Sequence, residues 1–216
     1  MELTELESII KSRRSIRQWQ DKEVPEELLL QAVELAAWAP NGGNQQNWRF
    51  YIIESRDTIR AIADAVQSSA EQIASWPEVE QFGGAERSRG RASFFRTAPA
   101  AVAVAAAHYQ SATDQILAAR EQTDPQAVQM RQWRNTADSR IQSVSAAIAY
   151  LLLILHQMGL GALWMTGPMQ AKGEIEKILR VPAELDIVAF IPVGYAAENP
   201  AARERRPVAE VSEFIR

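Results

Sequence analysis

Ala39-Pro40-Asn41-Gly42-Gly43-Asn44-Gln45-Gln46-Asn47-Trp48-Arg49-Phe50 is the most informative stretch of this 216-residue chain. Pro40 stops a helix that opens at Pro25 and is apolar at Leu28, Leu29, Val33 and Leu35. Trp48–Ile53 (WRFYII) is aromatic and β-branched, so it reads as a strand. Between them lie amides and glycines. Glycine lets a planar ligand approach the backbone. Side-chain amides can read the donor–acceptor edge of a heteroaromatic ring. A polar connecting loop is the plainer reading of such composition. Nine residues from Pro40 to Trp48 without a charge favour a neutral hydrogen-bonding partner.

On the N-terminal side, Thr4 and Glu7 have the spacing of a capping box, and Leu6, Ile9 and Ile10 follow at helical spacing. This predicts a short helix ending near Lys11-Ser12-Arg13-Arg14. On the C-terminal side, residues 56–75 read as helix. Residues 76–97 read as irregular, with Pro77, Gly83, Gly84 and Gly90 among many charges. Ala98–Ala107 is strand or buried helix, because periodicity does not decide a short apolar run. Residues 108–137 are polar and read as an excursion from the core. Ser139–Met158 reads as a buried helix with Gly159 as its C-cap. Leu163–Thr166 reads as a short strand and 170–180 as a helix. Ile187–Tyr195 reads as a strand in which Pro192 marks an edge or a bulge. No repeat or linker interrupts the chain, so residues 1–216 form one domain of α/β or α+β class.

Lys11-Ser12-Arg13-Arg14-Ser15-Ile16-Arg17 places four cations and two hydroxyls just past a helix end. Such a run can simply complement the helix dipole. It can also clamp phosphate, since arginine makes bidentate, charge-assisted bonds to phosphate oxygens. A second cluster, Arg203, Arg205 and Arg206, lies before Pro207. Two arginine clusters in an acidic chain point to one shared anion.

Composition excludes several functions. Net charge is 23 − 27 = −4, a poor balance for nucleic-acid binding. The absence of cysteine rules out thiolate metal sites and thiol catalysis, and two histidines come close to excluding a multi-histidine metal centre. His108 and His156 read as packed, hydrogen-bonded groups. Gly159-Leu160-Gly161 fails as a dinucleotide fingerprint, because Trp164 occupies the third glycine position and a helix precedes it. Apolar runs such as Ala98–Ala107 and Ala146–Leu155 fall short of the roughly 20 residues of a spanning helix. The expectation is a cytoplasmic protein without membrane, nucleic-acid or metal partners.

Three blocks carry a resemblance. They are Arg13-Arg14-Ser15-Ile16-Arg17, Ala39 through Phe50, and Gly159-Leu160-Gly161 through Trp164-Met165-Thr166-Gly167-Pro168, with Arg203-x-Arg205-x-Pro207 beyond. In this order they resemble the nitroreductase family of FMN-dependent NAD(P)H oxidoreductases. The resemblance spans nearly the whole chain, and the second block is the most specific.

It implies an α+β sandwich, a central antiparallel sheet wrapped by helices, in an interlocked homodimer. The tail of each subunit, from about 198 to 216, would cross the other. Two FMN molecules would sit at the interface. By position, Arg13, Ser15 and Arg17 would serve the phosphate, ribityl chain and pyrimidine edge, and Arg14 would contribute its backbone. Arg205 and Arg203 would close on the phosphate. Pro40, Asn41, Gly42 and Asn44 would reach the partner's flavin. Thr166 and Gly167 would present backbone groups near flavin N5, where many members carry a glutamate at the Thr166 position. Many also have proline at Asn47. The family's mid-chain asparagine and lysine have no counterpart unless Arg87–Arg96 replaces them. The excursion 108–137 would be the lid.

The implied activity is ping-pong hydride transfer from NAD(P)H, as co-substrate, to a small-molecule acceptor such as a nitroaromatic or quinone. Relatives use the same fold for reductive dehalogenation, enone reduction or flavin fragmentation. A non-catalytic flavin- or anion-binding module is the alternative of another class.

Overall fold

The computed structural model describes residues 2–82, 92–108 and 110–216. Four strands form one antiparallel sheet of order β1-β2-β4-β3: β1 (Trp48–Ile53), β2 (Ala100–Ala107), β3 (Gly161–Ala162) and β4 (Leu185–Gly194). Seven α-helices surround it among the described residues: α1 (Leu3–Ser12), α2 (Glu26–Ala36), α3 (Arg56–Ala74), α4 (Ala112–Arg120), α5 (Pro125–Ala137), α6 (Ser139–Gln157) and α7 (Lys172–Leu179). The class is α+β, and Ala98–Ala107 resolves to strand.

The alternation of β2 sorts the core into two layers. Val102, Val104 and Ala106 pack with Leu29 of α2 and Val144, Ile148, Leu151 and Leu155 of α6. Ala101, Ala103 and Ala105 face Ile59, Ile62 and Val66 of α3 and Ile175 of α7. Alanines on that face leave room for two aromatic rings, Phe95 and Phe190, whose centroids are 4.8 Å apart. Both rings are fully buried. Phe190→Ala is therefore expected to cost about 3–5 kcal/mol, read as a lowered urea midpoint at unchanged m-value.

Pro192 marks no bulge, and the edge it marks is local, on the side of β4 where β3 has stopped. β4 lies inside the sheet, and the register shift falls between Val104 and Ala105, where Val188 is the extra residue. That bulge puts Ile187 and Phe190 on the α3 face while Ala189 and Ile191 face α6. The register that pairs Ala162 with Val193 and Met165 with Phe190 sets Leu163 opposite Pro192. Proline has no N–H to donate there, and the expected strand Leu163–Thr166 shrinks to Gly161–Ala162 plus a bridge at Met165.

Helix ends follow local chemistry. The first helix starts earlier than Thr4, with the Glu5 carboxylate accepting from the Glu2 N–H at 2.9 Å. Gly159, at φ 77°, closes α6 as Leu160 N–H reaches Leu155 O at 2.8 Å. The expected helix 170–180 divides into a 3-10 turn, Gly167–Ala171, followed by α7.

The excursion is a helical hairpin, α4 and α5. Its second helix runs almost into α6, and residues 125–157 together are long and apolar enough to cross a membrane by length and composition alone. Asp138, at φ 38°, breaks the run and caps α6 by accepting from Ile141 N–H at 3.2 Å. The inner face of α6 belongs to the core.

Asp186 ties down both ends of the hairpin. It meets His108 Nε2 at 2.6 Å, Arg140 Nη1 at 2.6 Å and Lys172 Nζ at 2.9 Å. His108 is thus hydrogen-bonded, as expected, but exposed and not packed. Burial alone would raise the Asp186 carboxyl; hydrogen bonds from Lys172, Arg140 and His108 hold it well below the usual carboxylate range. A carboxyl depressed by folding adds stability above its unfolded value, about 3.9, and loses it as pH falls through the folded value. Asp186→Asn should cost about 1–2 kcal/mol at neutral pH. Thermal melts should show the gap to wild type shrinking below about pH 4.

Candidate functional site

The chain leaves α1 at Ser12 and becomes extended. Ser15 bridges Ala162 of β3 in parallel, with Ile16 N–H donating to Ala162 O at 3.2 Å. Farther on, Gln20 N–H donates to Tyr195 O and Ala197 N–H to Gln18 O, each at 2.9 Å. The Glu198 carboxylate accepts from the Arg17 and Gln18 N–H groups, the latter at 3.1 Å. Residues 15–20 therefore lie between β3 and the extension of β4. The fit needs Gly161, where an added Cβ would sit 2.7 Å from Ile16 Cγ1. This threading carries the segment after Glu198 back past the arginines of the N-terminal run.

Together they enclose a cavity of about 740 Å³. Arg13, Arg14, Ser15 and Arg17 line one side, and Arg203 and Arg205 the other. The two clusters, some 190 residues apart in sequence, do meet; Arg206 is not among the lining residues, and no carboxylate is. Burial, then the nearby Arg14 and Arg205 charges, push Arg13 below the ordinary arginine value. Among the described lining residues the arginines have no carboxylate beside them, a donor set suited to an anion. Arg14 donates through Nη1 to Lys11 O at 2.7 Å and Arg13 O at 2.9 Å, while its buried Nε has no hydrogen-bond partner. The donor set fits a phosphate monoester.

A second cleft of about 620 Å³ shares Arg17 and Arg203 with the first. Trp19 and Phe94 line it, their rings nearly parallel with centroids 6.4 Å apart. A phosphate-bearing planar ligand finds cations at one end and aromatic faces beside them.

Thr166 and Gly167 are exposed on the same edge of the sheet. Ala162 and Thr166 are four residues apart, about 13 Å of extended chain. Thr166 O accepts from Met169 N–H at 3.0 Å, which starts the 3-10 turn.

Pro40, Asn41, Gly42 and Asn44 do not line the arginine cavity. Their loop packs on the start of α6, with Gly42 N–H donating to Ser143 Oγ at 3.3 Å. The Asn41 side chain is spent inside the loop, donating to Ala39 O at 3.2 Å and accepting from Gln46 N–H at 2.9 Å. Gly43, Asn44 and Gln46 all have positive φ, so the loop has a set shape. Asn47 is buried and donates to Arg140 O at 3.3 Å, a bond that proline could not make.

Of Arg87–Arg96, residues 87–91 lie outside the described residues. Arg96 is paired with Asp64 at 2.6 Å. Sequence reasoning missed Glu198, which aligns the arginine segment, and residues 200–202, which complete the cavity. Neither position has a composition signal.

The fold and site define an α+β protein with an arginine-lined cavity and an adjoining aromatic cleft beside a sheet edge. The chain belongs to the nitroreductase family, whose family model matches residues 10–195. It is 30% identical over 205 residues to an NADH dehydrogenase of Thermus thermophilus, covering 92% of this chain and 90% of that one. A BluB-like flavoprotein of Clostridium difficile superposes with a TM-score of 0.85 at 27% identity, covering 100% of both chains. An iodotyrosine deiodinase solved with FMN and 3-iodo-L-tyrosine shares the fold, with a TM-score of 0.69 at 24% identity over 98% of this chain and 97% of that one. Family membership makes this chain an oxidoreductase.

Proposed function

We propose that the protein is an FMN-dependent NAD(P)H oxidoreductase acting as a homodimer on a small electron acceptor such as a nitroaromatic or quinone. The observation that carries the reading is the convergence of Arg13, Arg14, Arg17, Arg203 and Arg205 on one carboxylate-free cavity. A terminal phosphate fills that need, and the missing dinucleotide fingerprint favours FMN over FAD. When bound, FMN supplies the hydride transfer between nicotinamide and acceptor. Arg13 and Arg205 hold the phosphate. Arg17, which lines both the arginine cavity and the aromatic cleft, would place a positive charge beside a bound flavin and so stabilise its reduced, anionic form. Thr166 and Gly167 offer backbone groups from the far end of the edge. Among the described residues, the lining of the arginine cavity carries neither carboxylate nor imidazole.

The homodimer is supported by apolar surface that one chain leaves open. Only 28% of the most apolar stretch within residues 125–157 is buried. Tyr150 of α6 is 42% exposed, and Trp38 beside the amide loop is 81% exposed. A partner covering this face would bring the Pro40–Asn44 loop toward its own flavin. The hairpin 112–137, with exposed Ile116 and Trp133, is the proposed lid.

The test is direct. Heat-released ligand should run as FMN against standards, and anaerobic NADH or NADPH should bleach the flavin absorbance. FAD or no flavin defeats the cofactor reading. Bound FMN that neither nucleotide reduces would favour a binding module.

A further inference from the structure

Behind the arginine cavity lies a smaller one of about 240 Å³, lined by Ser12, Arg14, His156 and Glu198 among others. Arg14 lines both cavities. His156 comes from the last turn of α6, and its Nε2 is 2.8 Å from Ser12 Oγ. We propose that His156 is a proton-linked member of the phosphate site, taking up a proton when a phosphate monoester dianion fills the Arg13–Arg205 cavity. This rests on the FMN reading for its natural ligand.

The geometry suits either charge state. With the imidazole neutral at Nε2, the Ser12 hydroxyl donates to it. With Nε2 protonated, Nε2–H donates to Ser12 Oγ, and the hydroxyl proton turns to Ile9 O, 3.4 Å away. The Ser12–His156 contact is therefore kept in either charge state.

The charges facing His156 decide the direction. From the end of α1 come Arg13 and Arg14, with Lys11 beside them already paired to Glu7. From the segment after β4 comes Glu198, whose carboxylate is engaged by the Arg17 and Gln18 N–H groups. Burial, then the Arg13 and Arg14 charges, hold the imidazole below the ordinary histidine value. A dianion between the arginines cancels that repulsion. The imidazole then protonates more readily, and by reciprocity phosphate binds more tightly once it has done so.

The chain has two histidines, so its imidazole C–H resonances can be followed in the intact protein. They would be titrated by NMR without ligand, with FMN and with inorganic phosphate, and assigned with His108→Gln. The expected result is an upward shift of the His156 midpoint by about one unit on ligand binding, a tenfold gain in proton affinity. Calorimetry in buffers of different ionisation enthalpy should show His156→Gln taking up fewer protons per FMN than wild type. The comparison with this variant removes the phosphate's own ionisation near pH 6. An unmoved His156 midpoint with FMN bound overturns the proposal. Failure to bind FMN, with inorganic phosphate still moving His156, overturns the cofactor reading and leaves the proton linkage standing. No shift with either ligand overturns the linkage.

Discussion

Replacing Arg13 or Arg205 by alanine is expected to weaken FMN binding about ten- to a hundredfold, while Arg206→Ala leaves it near wild type. A hydrogen bond to a charged group contributes roughly 1.5–3 kcal/mol, which sets the range. Arg13 and Arg205 approach the same cavity from opposite ends of the chain, and Arg205 is among the charges that depress Arg13. Arg206 carries the same charge one residue on but does not line the cavity. Flavin fluorescence quenching would read the affinities. Equal losses in all three variants would mean diffuse attraction by net charge and not a clamp. The clamp losses should also outlast about 0.5 M salt, because partly buried pairs are screened less than exposed ones.

Deleting residues 208–216 should lower dimer stability and flavin occupancy together. Val208, Val211, Phe214 and Ile215 are all exposed on a single chain, Phe214 and Ile215 at 87%. A tail folded back on its own domain would cover them. Burying such a side chain is worth roughly 1.5–3 kcal/mol. Association costs absorb much of that, and a net loss of about 3 kcal/mol is more than a hundredfold in dimer Kd. The same tail carries Arg203 and Arg205, so loosening it frees the phosphate clamp. Sedimentation velocity and flavin absorbance would be measured on one preparation. A truncated protein that stays dimeric and fully yellow would separate the tail from both roles.

Much of the local structure was legible because its causes are local. Pro25 opens α2, Gly159 caps α6, and WRFYII forms β1, each through the conformational preferences of a few neighbouring residues. The arginine run was legible as a candidate anion site because its residue types have a narrow chemistry, and the fold brings it to the same cavity as Arg203 and Arg205. What the sequence by itself determined is therefore the inventory: a Cys-free α+β domain, an uncharged amide loop and two arginine clusters. Only the tertiary structure decided how those parts combine. Whether Ala98–Ala107 was strand or helix depended on having partners on both sides, β1 and β4. Pro192 could stand inside the sheet only because the strand facing its missing N–H stops at Ala162. Arg205 joined Arg13 because residues 15–20 thread between β3 and the extension of β4, held by Glu198. His156 and Ser12 met across 144 positions. Pairings of this kind are contacts between distant segments, and no window of neighbouring residues contains the atoms that make them.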